Sequence, residues 1–249
     1  MAKLQYAGDY VLKEALLVSS TGVRLDLVGN ILAFEIFENL FSTSLSGSIT
    51  FADTDNLATN APIIGQEYLY MKIGTPTLDD YDIDFTNVPF TTYKVNAKVD
   101  ANKGTQVVQV SFTSPEMLTD KRVRVSKSYT DTIDNIVTNI LRDEKYINTL
   151  KKLHIEPTAG IRKLISPNLH PFNFITNLAT EAVALKDNNP FFMFYESTQG
   201  INFRSIESLF AEDTFGDYAL GDFGQNEGKK QDIGKDYGRI IDFEVSSNS

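Results

Sequence analysis

The stretch Arg122–Leu141, RVRVSKSYTDTIDNIVTNIL, changes its hydrophobic period within a few residues. Its first part alternates between apolar and polar residues, which predicts a strand. Its second part has the apolar spacing of one α-helical face, formed by Ile133, Ile136, Val137, Ile140 and Leu141. Thr130 or Asp131 is placed to cap the helix start, where Asp134 adds a favourable negative charge. The stretch therefore predicts a helix over about residues 131–143.

The residues before this helix are predicted to form antiparallel strands. Residues 13–28 are predicted to form a hairpin with its turn at Ser19–Gly22, and residues 45–51 alternate as a strand with one solvent-exposed face. A second hairpin joins 90–100 to 105–114 through the turn sequence ANKG. The acidic segment 75–89, TPTLDDYDIDFTNVP, is predicted to be a polar loop. Short antiparallel strands joined by turns predict a small barrel or sandwich that ends near Thr113.

From Ser114 onward the pattern predicts an α/β unit. The segment 170–186, HPFNFITNLATEAVALK, predicts a helix with Pro171 in its first turn and an apolar face made of Ile175, Leu178, Ala179 and Ala182. A short helix is also expected within 144–160, and 191–205 is predicted to be a hairpin. The Gly- and Asp-rich residues that follow predict an extended loop, and RIIDFEV at 239–245 a final strand.

The amino-acid composition limits the classes of protein and of site that this chain can represent. The chain has 249 residues, of which 42% are hydrophobic and 22% charged, as in ordinary folded proteins. It has no cysteine, so neither a disulfide framework nor a thiolate zinc site is expected. No signal peptide and no apolar run long enough to cross a bilayer is found, which predicts a soluble protein made in a cytoplasm.

The net charge of −10, from 33 acids and 23 bases, argues against binding to nucleic acid or to an anionic membrane. One basic cluster departs from this balance, and it comprises Lys121, Arg122, Arg124 and Lys127. On a strand Arg122 and Arg124 would share a face. A solvated strand edge is favoured for this cluster over an anion site.

The sequence contains no strong catalytic, metal-binding or nucleotide-binding motif. His154 and His170 are the only histidines, no G-x-S-x-G elbow accompanies them, and structural roles are favoured. The segment 53–64, DTDNLATNAPII, lacks the glycine and glutamate of a calcium loop, and GQNEGKK at 224–230 fails the phosphate-loop spacing. Acidic clusters such as DDYDID leave a glycosidase-like carboxylate pair as an alternative. We predict no enzyme activity, no metal and no cofactor.

Aromatic side chains exceed what simple alternation would bury. The surplus comprises Phe34, Phe37, Phe41, Phe51, Phe191, Phe192, Phe194 and Tyr195. The run PFFMFYE at 190–196 places aromatics on both faces of one predicted strand. Such a strand is expected to be covered on both sides, either by helices of the same chain or by another subunit.

The order of these segments resembles one known family. FEIFENLF, SGSITFADTDNL, APIIGQEYLYMKI, RVRVSKSYTDTIDNIVTNIL and SPNLHPFNFITNLATEAVA occur in sequence, followed by FFMFYESTQGINFRSIESL. This set resembles the central baseplate hub of contractile-tailed bacteriophages, which is related to the base of type VI secretion spikes. The resemblance runs from about Lys13 to Leu209. Its most specific pieces are GSITFAD followed by PIIGQE, and RVSKSY leading into the helix.

The resemblance implies a β-rich α+β fold. Residues 1–113 would form a small, tudor-like antiparallel β-barrel, and 114–212 an inserted α/β connector with two main helices and a hairpin. Residues 213–249 would hold the loop and final strand of a second barrel. Members of the family are generally longer, so this second barrel is expected to be either minimal or truncated.

The resemblance also implies a structural function. The chain would form a homotrimer that adapts the threefold central spike to the sixfold tail tube, contacts other baseplate proteins and lets DNA pass on ejection. It would lie in the virion tail after assembly in the host cytoplasm. The interface candidates are Phe34, Phe37, Phe41, Arg122, Arg124, Phe191 and Tyr195. The alternatives are a tail-associated cell-wall hydrolase and a glycan-binding adhesin, for which Tyr68, Tyr70 and Tyr93 could stack on sugars.

Overall fold

The computed structural model describes residues 10–53, 63–75, 78–102, 105–214, 219–220 and 239–240. The strands are β1 Val11–Val18, β2 Arg24–Asp26, β3 Ile31–Phe37, β4 Ser46–Asp53, β5 Tyr68–Thr75, β6 Leu78–Asp84, β7 Phe90–Asn102, β8 Thr105–Thr113, β9 Ser128–Asp131, β10 Leu153–Ile155, β11 Arg162–Ile165, β12 Phe192–Ser197, β13 Gly200–Ser205, β14 Ala219–Leu220 and β15 Arg239–Ile240. The helices are α1 Pro115–Arg122, α2 Ile133–Arg142, α3 Pro171–Glu181 and α4 Ile206–Phe210.

The first eight strands form one antiparallel sheet. Its order is β2–β1–β5–β7–β8–β4–β3, and β6 pairs with β5 beside this path. The predicted hairpins β1–β2 and β7–β8 are both confirmed. Among the described residues no ladder joins the two end strands β2 and β3, so the predicted closed, tudor-like barrel is not confirmed. The architecture is a mostly antiparallel, β-rich α+β fold.

Strand β4 shows how the sequence builds the core of this sheet. Its residues alternate between buried and half-buried, and Ile49 and Phe51 on the inner face are fully buried. They pack with Leu17, Leu69 and Phe112 from neighbouring strands. Burying a side chain of this size contributes about 1.5–3 kcal/mol, so alternation alone selects the inward face.

The predicted polar loop at 75–89 is wrong in its central part, because Leu78–Asp84 forms strand β6. Two of its acidic residues, Asp82 and Asp84, are compatible with a strand because lysines of the same sheet pair with them. Lys13 Nζ lies 2.9 Å from Asp82, and Lys72 Nζ lies 3.0 Å from Asp84. The pKa of Asp84 is lowered by hydrogen bonds from Thr86, with Lys72 adding to the effect. The pattern of residues within one segment does not predict cross-strand partners of this kind.

The predicted strand of the opening stretch is confirmed only at Ser128–Asp131, which forms β9, because Arg122 ends helix α1. This helix begins with Pro115 in its first turn and Glu116 near its positive end, both standard start signals. Its buried residues, however, are Glu116 and Asp120 rather than apolar ones. An apolar periodicity search misses a helix whose inward face carries carboxylates.

Helix α2 is confirmed, but its cap differs from the prediction. The five apolar residues of its predicted face are all buried. The residue before the helix is Thr132, whose side chain makes no capping hydrogen bond. Instead Asp134 N–H donates to Thr158 Oγ1 at 3.1 Å, and Thr158 Oγ1 donates to Asp134 Oδ1 at 2.6 Å. The reciprocal pair anchors the helix start to a segment 24 residues away.

A second hydrophobic cluster forms around α2, α3, β12 and β13. The predicted helix α3 and hairpin β12–β13 are confirmed, and the predicted apolar face of α3 is buried. The short helix expected within 144–160 is wrong, because Leu153–Ile155 forms β10 and pairs in parallel with β13. That pairing depends on residues about 48 positions later, so tertiary context decides the conformation of the segment.

The two clusters contain different segments, residues 15–112 for the first and 125–203 for the second. The domain bounds 1–113, 114–212 and 213–249 remain a prediction. In the last of these, β14 and β15 pair in parallel over two residues each. The remainder of the predicted loop and final strand lies outside the described residues, as does most of the rejected calcium loop at 53–64 and all of GQNEGKK.

Asp120 connects α1 to the start of α3. Phe172 N–H donates to its buried Oδ1 at 2.7 Å. We expect Asp120→Ala to lower the free energy of unfolding by about 1 kcal/mol, because a helix cap is lost and the Phe172 amide is left without its partner. Urea unfolding measures this. Asp120→Asn, which keeps the oxygen acceptor, should lose less, and equal losses in both variants would contradict the capping role.

Candidate interaction surfaces

Strand β3 ends the described sheet path and carries three of the predicted interface residues on or beside it. Phe34 is half-buried and packs edge-to-face on Tyr10, with ring centroids 5.5 Å apart. Phe37 is 56% exposed, and Phe41 in the following loop is 87% exposed. Leu32 and Leu40 are exposed beside them. An exposed apolar edge strand of this kind is a typical site of protein association.

The aromatic run around β12 divides between core and surface. Phe192, Phe194 and Tyr195 are buried by the chain itself, and burial raises the pKa of the Tyr195 phenol. Phe191, just before the strand, is 64% exposed. Phe191 therefore offers surface to a partner, whereas Tyr195 belongs to the interior of the single chain.

Arg122 and Arg124 do not share a strand face, because Arg122 ends α1 and Arg124 lies in the link that follows. Both are exposed. Arg124 donates to the backbone oxygen of Asn168 at 3.1 Å, and Lys127 Nζ lies 5.1 Å from the centre of the Tyr129 ring. Downstream, β9 pairs with β11, which adds the exposed Arg162 and Lys163 to this basic region.

A buried polar network joins the sheet to the second cluster. Lys151 Nζ lies 2.8 Å from a Glu116 oxygen and 2.5 Å from a Glu196 oxygen, and all three side chains are at least 90% buried. Glu196 also accepts from Leu45 N–H and from Ser114 Oγ, each at 2.9 Å. We call Glu116, Lys151 and Glu196 the junction triad. Its hydrogen bonds connect the start of β4 to α1, β12 and the loop before β10.

The junction triad contains two carboxylates and one ammonium. Burial raises the pKa of Glu196 above its ordinary value, while the attraction of Lys151 opposes this rise. Thr149 Oγ1 donates to the remaining Glu116 oxygen at 2.6 Å. Every carboxylate oxygen of the triad therefore has a donor, which is the condition under which buried charge is tolerated.

The junction triad was not predicted from the sequence. Its members are separated by 35 and 45 residues, and each looks like an ordinary surface charge in its own segment. The one local hint is Glu196 inside an aromatic strand, where a carboxylate has to be paired if it is buried.

The two histidines lie in separate parts of the fold. His170 Nδ1 lies 2.8 Å from the Asp120 carbonyl and 3.1 Å from that of Val123, at the start of α3. His154 lies in β10, and its Nε2 is buried. In the acidic segment DDYDID, Asp82 and Asp84 are paired with lysines. Of the tyrosines considered for sugar stacking, Tyr68 and Tyr93 are about half exposed, and Tyr70 is half-buried.

One groove among the described residues measures about 660 Å³. Its lining includes His154, Glu156, Leu185, Arg204 and Glu212, and Arg204 is paired with Glu212. Across the described ranges, no three His, Cys, Asp or Glu side chains are grouped to hold a metal ion. None of the helices in the described part of the chain is both long and apolar enough to span a bilayer.

Comparison with known proteins supports the fold. The sequence matches no protein-family profile and no curated protein. Among solved structures it is similar to the 43 kDa tail protein of prophage MuSo2 from Shewanella oneidensis, with a TM-score of 0.53 and 11% identity over 84% of this chain. The chain has the fold of a phage tail protein.

Two other solved structures are less similar to this chain. Prophage tail protein gp18 from Listeria monocytogenes gives a TM-score of 0.49 with 11% identity over 86% of this chain and 56% of its own. The E. coli c3393 protein, a component of the type VI secretion system, gives 0.49 with 15% identity over 80% of this chain and 50% of its own. This chain spans 57% of the Shewanella protein's length. The predicted likeness to tail proteins is confirmed at the level of the fold.

Proposed function

We propose that this chain is a structural subunit of a phage tail baseplate hub. The likeness of its fold to the prophage 43 kDa tail protein, over 84% of this chain, carries the proposal. In the proposed hub, three copies of the chain form a ring that binds the sixfold tail tube on one face and the trimeric spike on the other. The chain acts by binding rather than by catalysis, in the tail of the virion, and DNA passes through the ring on ejection.

Exposed aromatic side chains support the assembly. Stable subunit interfaces are apolar at their centres and enriched in aromatic residues. Phe37, Phe41 and Phe191 are all more than half exposed in the single chain, so they are available to other copies or to the tube. The proposal assigns the sheet of residues 1–113 and the connector of 114–212 to one ring subunit, and the start of a second barrel to 213–249.

The acidic balance also agrees with a DNA conduit. A lumen of negative potential repels phosphate and does not hold DNA during passage. The proposal therefore expects the basic residues Arg122, Arg124 and Lys163 to face other proteins rather than the lumen. A strongly basic lumen in the assembled ring would contradict this part of the proposal.

Native mass spectrometry of the 249-residue chain, alone and with tail tube protein, tests the assembly. We expect a species with three times the mass of one chain, and binding of tube protein to that species. Phe41→Ser should weaken this association without lowering the free energy of unfolding, because the ring is 87% exposed. Phe210→Ser, at 84% exposure in α4, is the matched control. A chain that stays single in both samples would overturn the proposal.

The two alternative functions are a cell-wall hydrolase and a glycan-binding adhesin. Release of soluble fragments from purified peptidoglycan by the pure chain would favour the hydrolase. Saturable binding to host surface polysaccharide that is lost in Tyr68→Ala or Tyr93→Ala would favour the adhesin. The hub proposal expects neither result.

A further inference from the structure

Strand β11 presents an unusual outward face. It pairs with β9 so that Leu164 lies opposite Tyr129, and these two side chains face the second hydrophobic cluster. Side chains alternate along a strand, so the outward positions are Ile161, Lys163 and Ile165. The two isoleucines are 73% and 74% exposed. We call these three residues the basic stripe, because a lysine lies between two exposed apolar side chains.

Strand β3 presents a matching face of opposite charge. Phe34 and Ile36 pack inward on the first cluster, which leaves Ala33, Glu35 and Phe37 outward. We call these three residues the acidic stripe. Its glutamate lies between two exposed apolar side chains at the same two-residue spacing, so the charges and apolar groups of the two stripes can be brought into register.

Neither central charge has a partner in the described structure. No ion pair of the described residues includes Lys163 or Glu35, although five other lysines and arginines are paired. Asp131 lies opposite Arg162 in the ladder, but its carboxylate accepts hydrogen bonds from Thr132 N–H and from Asn135. The outward neighbours of the basic stripe on β9 are Ser128 and Thr130, which are small and leave it accessible.

The wider charge distribution has the same asymmetry. Residues 1–113 hold 13 acids and 7 bases, whereas residues 114–212 hold 12 acids and 12 bases. Five of the connector's bases lie at the end of α1, in the link before β9 or on β11, and they are Arg122, Arg124, Lys127, Arg162 and Lys163. One chain therefore carries an acidic apolar surface on its sheet and a basic apolar surface on its connector. A contact between two different surfaces of identical chains is head-to-tail, and such contacts close into rings when the rotation permits.

We propose that the acidic stripe of one copy docks on the basic stripe of a second copy, with Glu35 paired to Lys163 between apolar flanks. This inference rests on the proposed ring and names the surfaces that build it. The occupant of the β3 face is thus another copy of this chain, selected by charge complementarity and by the shared apolar spacing.

Charge reversal tests the contact in the full chain. Glu35→Lys and Lys163→Glu should each raise the dissociation constant of the assembly by about 10-fold to 100-fold, because like charges then meet. The double variant Glu35→Lys/Lys163→Glu restores opposite charges at every contact and should recover most of the affinity. Analytical ultracentrifugation measures the constants, and circular dichroism with thermal unfolding checks that each variant keeps its fold.

Two adjacent exposed residues supply matched controls. Glu144→Lys and Lys145→Glu make the same charge changes at exposed residues that belong to neither stripe, and they should leave the dissociation constant within about twofold. If the wild-type chain assembles but the double variant is no tighter than either single variant, the contact is wrong and the hub function stands. A wild-type chain that stays single even with tube protein would overturn both.

Discussion

Lys151→Met is expected to lower the free energy of unfolding by about 3–5 kcal/mol at neutral pH, the typical cost of breaking a buried ion pair. The substitution removes the ammonium that lies 2.8 Å from Glu116 and 2.5 Å from Glu196. Two buried carboxylates would then face each other without a cation. Chemical unfolding followed by circular dichroism measures the loss.

The loss should depend on pH in a defined direction. The pKa of Glu196 is already raised by burial, and removal of Lys151 takes away the attraction that opposes the rise. A carboxyl group with a raised pKa in the folded state stabilises the fold most below its unfolded pKa, near 4.5, and this contribution is lost as pH rises through the folded value. The difference between Lys151→Met and wild type should therefore shrink as the pH falls from 7 towards 4.5.

Two further variants make the result specific. Lys152→Met removes the same charge from the next residue, which is exposed, and should change the free energy of unfolding by less than about 0.5 kcal/mol. Lys151→Met/Glu196→Gln removes one of the two buried negative charges and should recover part of the loss. A Lys151→Met loss that is small, or independent of pH, would show that the junction triad does not hold the two clusters together.

Gly47→Ala is expected to cost about 1–3 kcal/mol by overpacking the core of the sheet. A β-carbon at this position would lie 2.2 Å from the Glu35 carbonyl oxygen and 2.4 Å from Cζ of Phe112. The backbone of β3 and a fully buried ring would both have to move. Phe112 also packs on Phe90, with ring centroids 4.7 Å apart, so its displacement disturbs a second aromatic side chain.

Urea unfolding of Gly47→Ala and Gly29→Ala separates this effect from a general effect of replacing glycine. A β-carbon at Gly29 would meet no atom within 4 Å, and we expect the stability to stay unchanged or to rise by about 0.4–1 kcal/mol. Gly47→Ala/Phe112→Leu should recover part of the Gly47→Ala loss, because leucine lacks the clashing ring atoms. Equal stabilities for Gly47→Ala and Gly29→Ala would contradict the close approach.

The elements with a strong apolar period were predictable from the sequence. Strand β4 alternates cleanly, and α2 and α3 each carry an apolar stripe with a start signal, so burial favours one conformation for each. The hairpin β12–β13 was predictable for the same reason. The order of these segments also predicted the tail-protein fold that the structural comparison supports.

The elements that failed prediction are those whose polar residues are paired over long distances. Strand β6 is acidic and depends on Lys13 and Lys72, and β10 depends on its parallel partner β13. Helix α1 buries two carboxylates, whose hydrogen bonds come from Lys151, Thr149 and the Phe172 amide. A prediction from a short sequence segment assigns such residues to the solvent-facing side, because their partners lie elsewhere in the chain.

Which side chains avoid water follows from the amino-acid pattern along the chain, and so do most of the main strands, the two long helices and the β-rich class. The tertiary structure alone decided where charge is buried, how the two hydrophobic clusters are joined through the junction triad, and which charged stripes are left without a partner. The difference comes from how far apart along the chain the interacting residues lie. Hydrophobic burial follows a period of two or 3.6 residues along the chain, whereas a buried charge is stable only beside a counter-charge that folding brings from a distant segment.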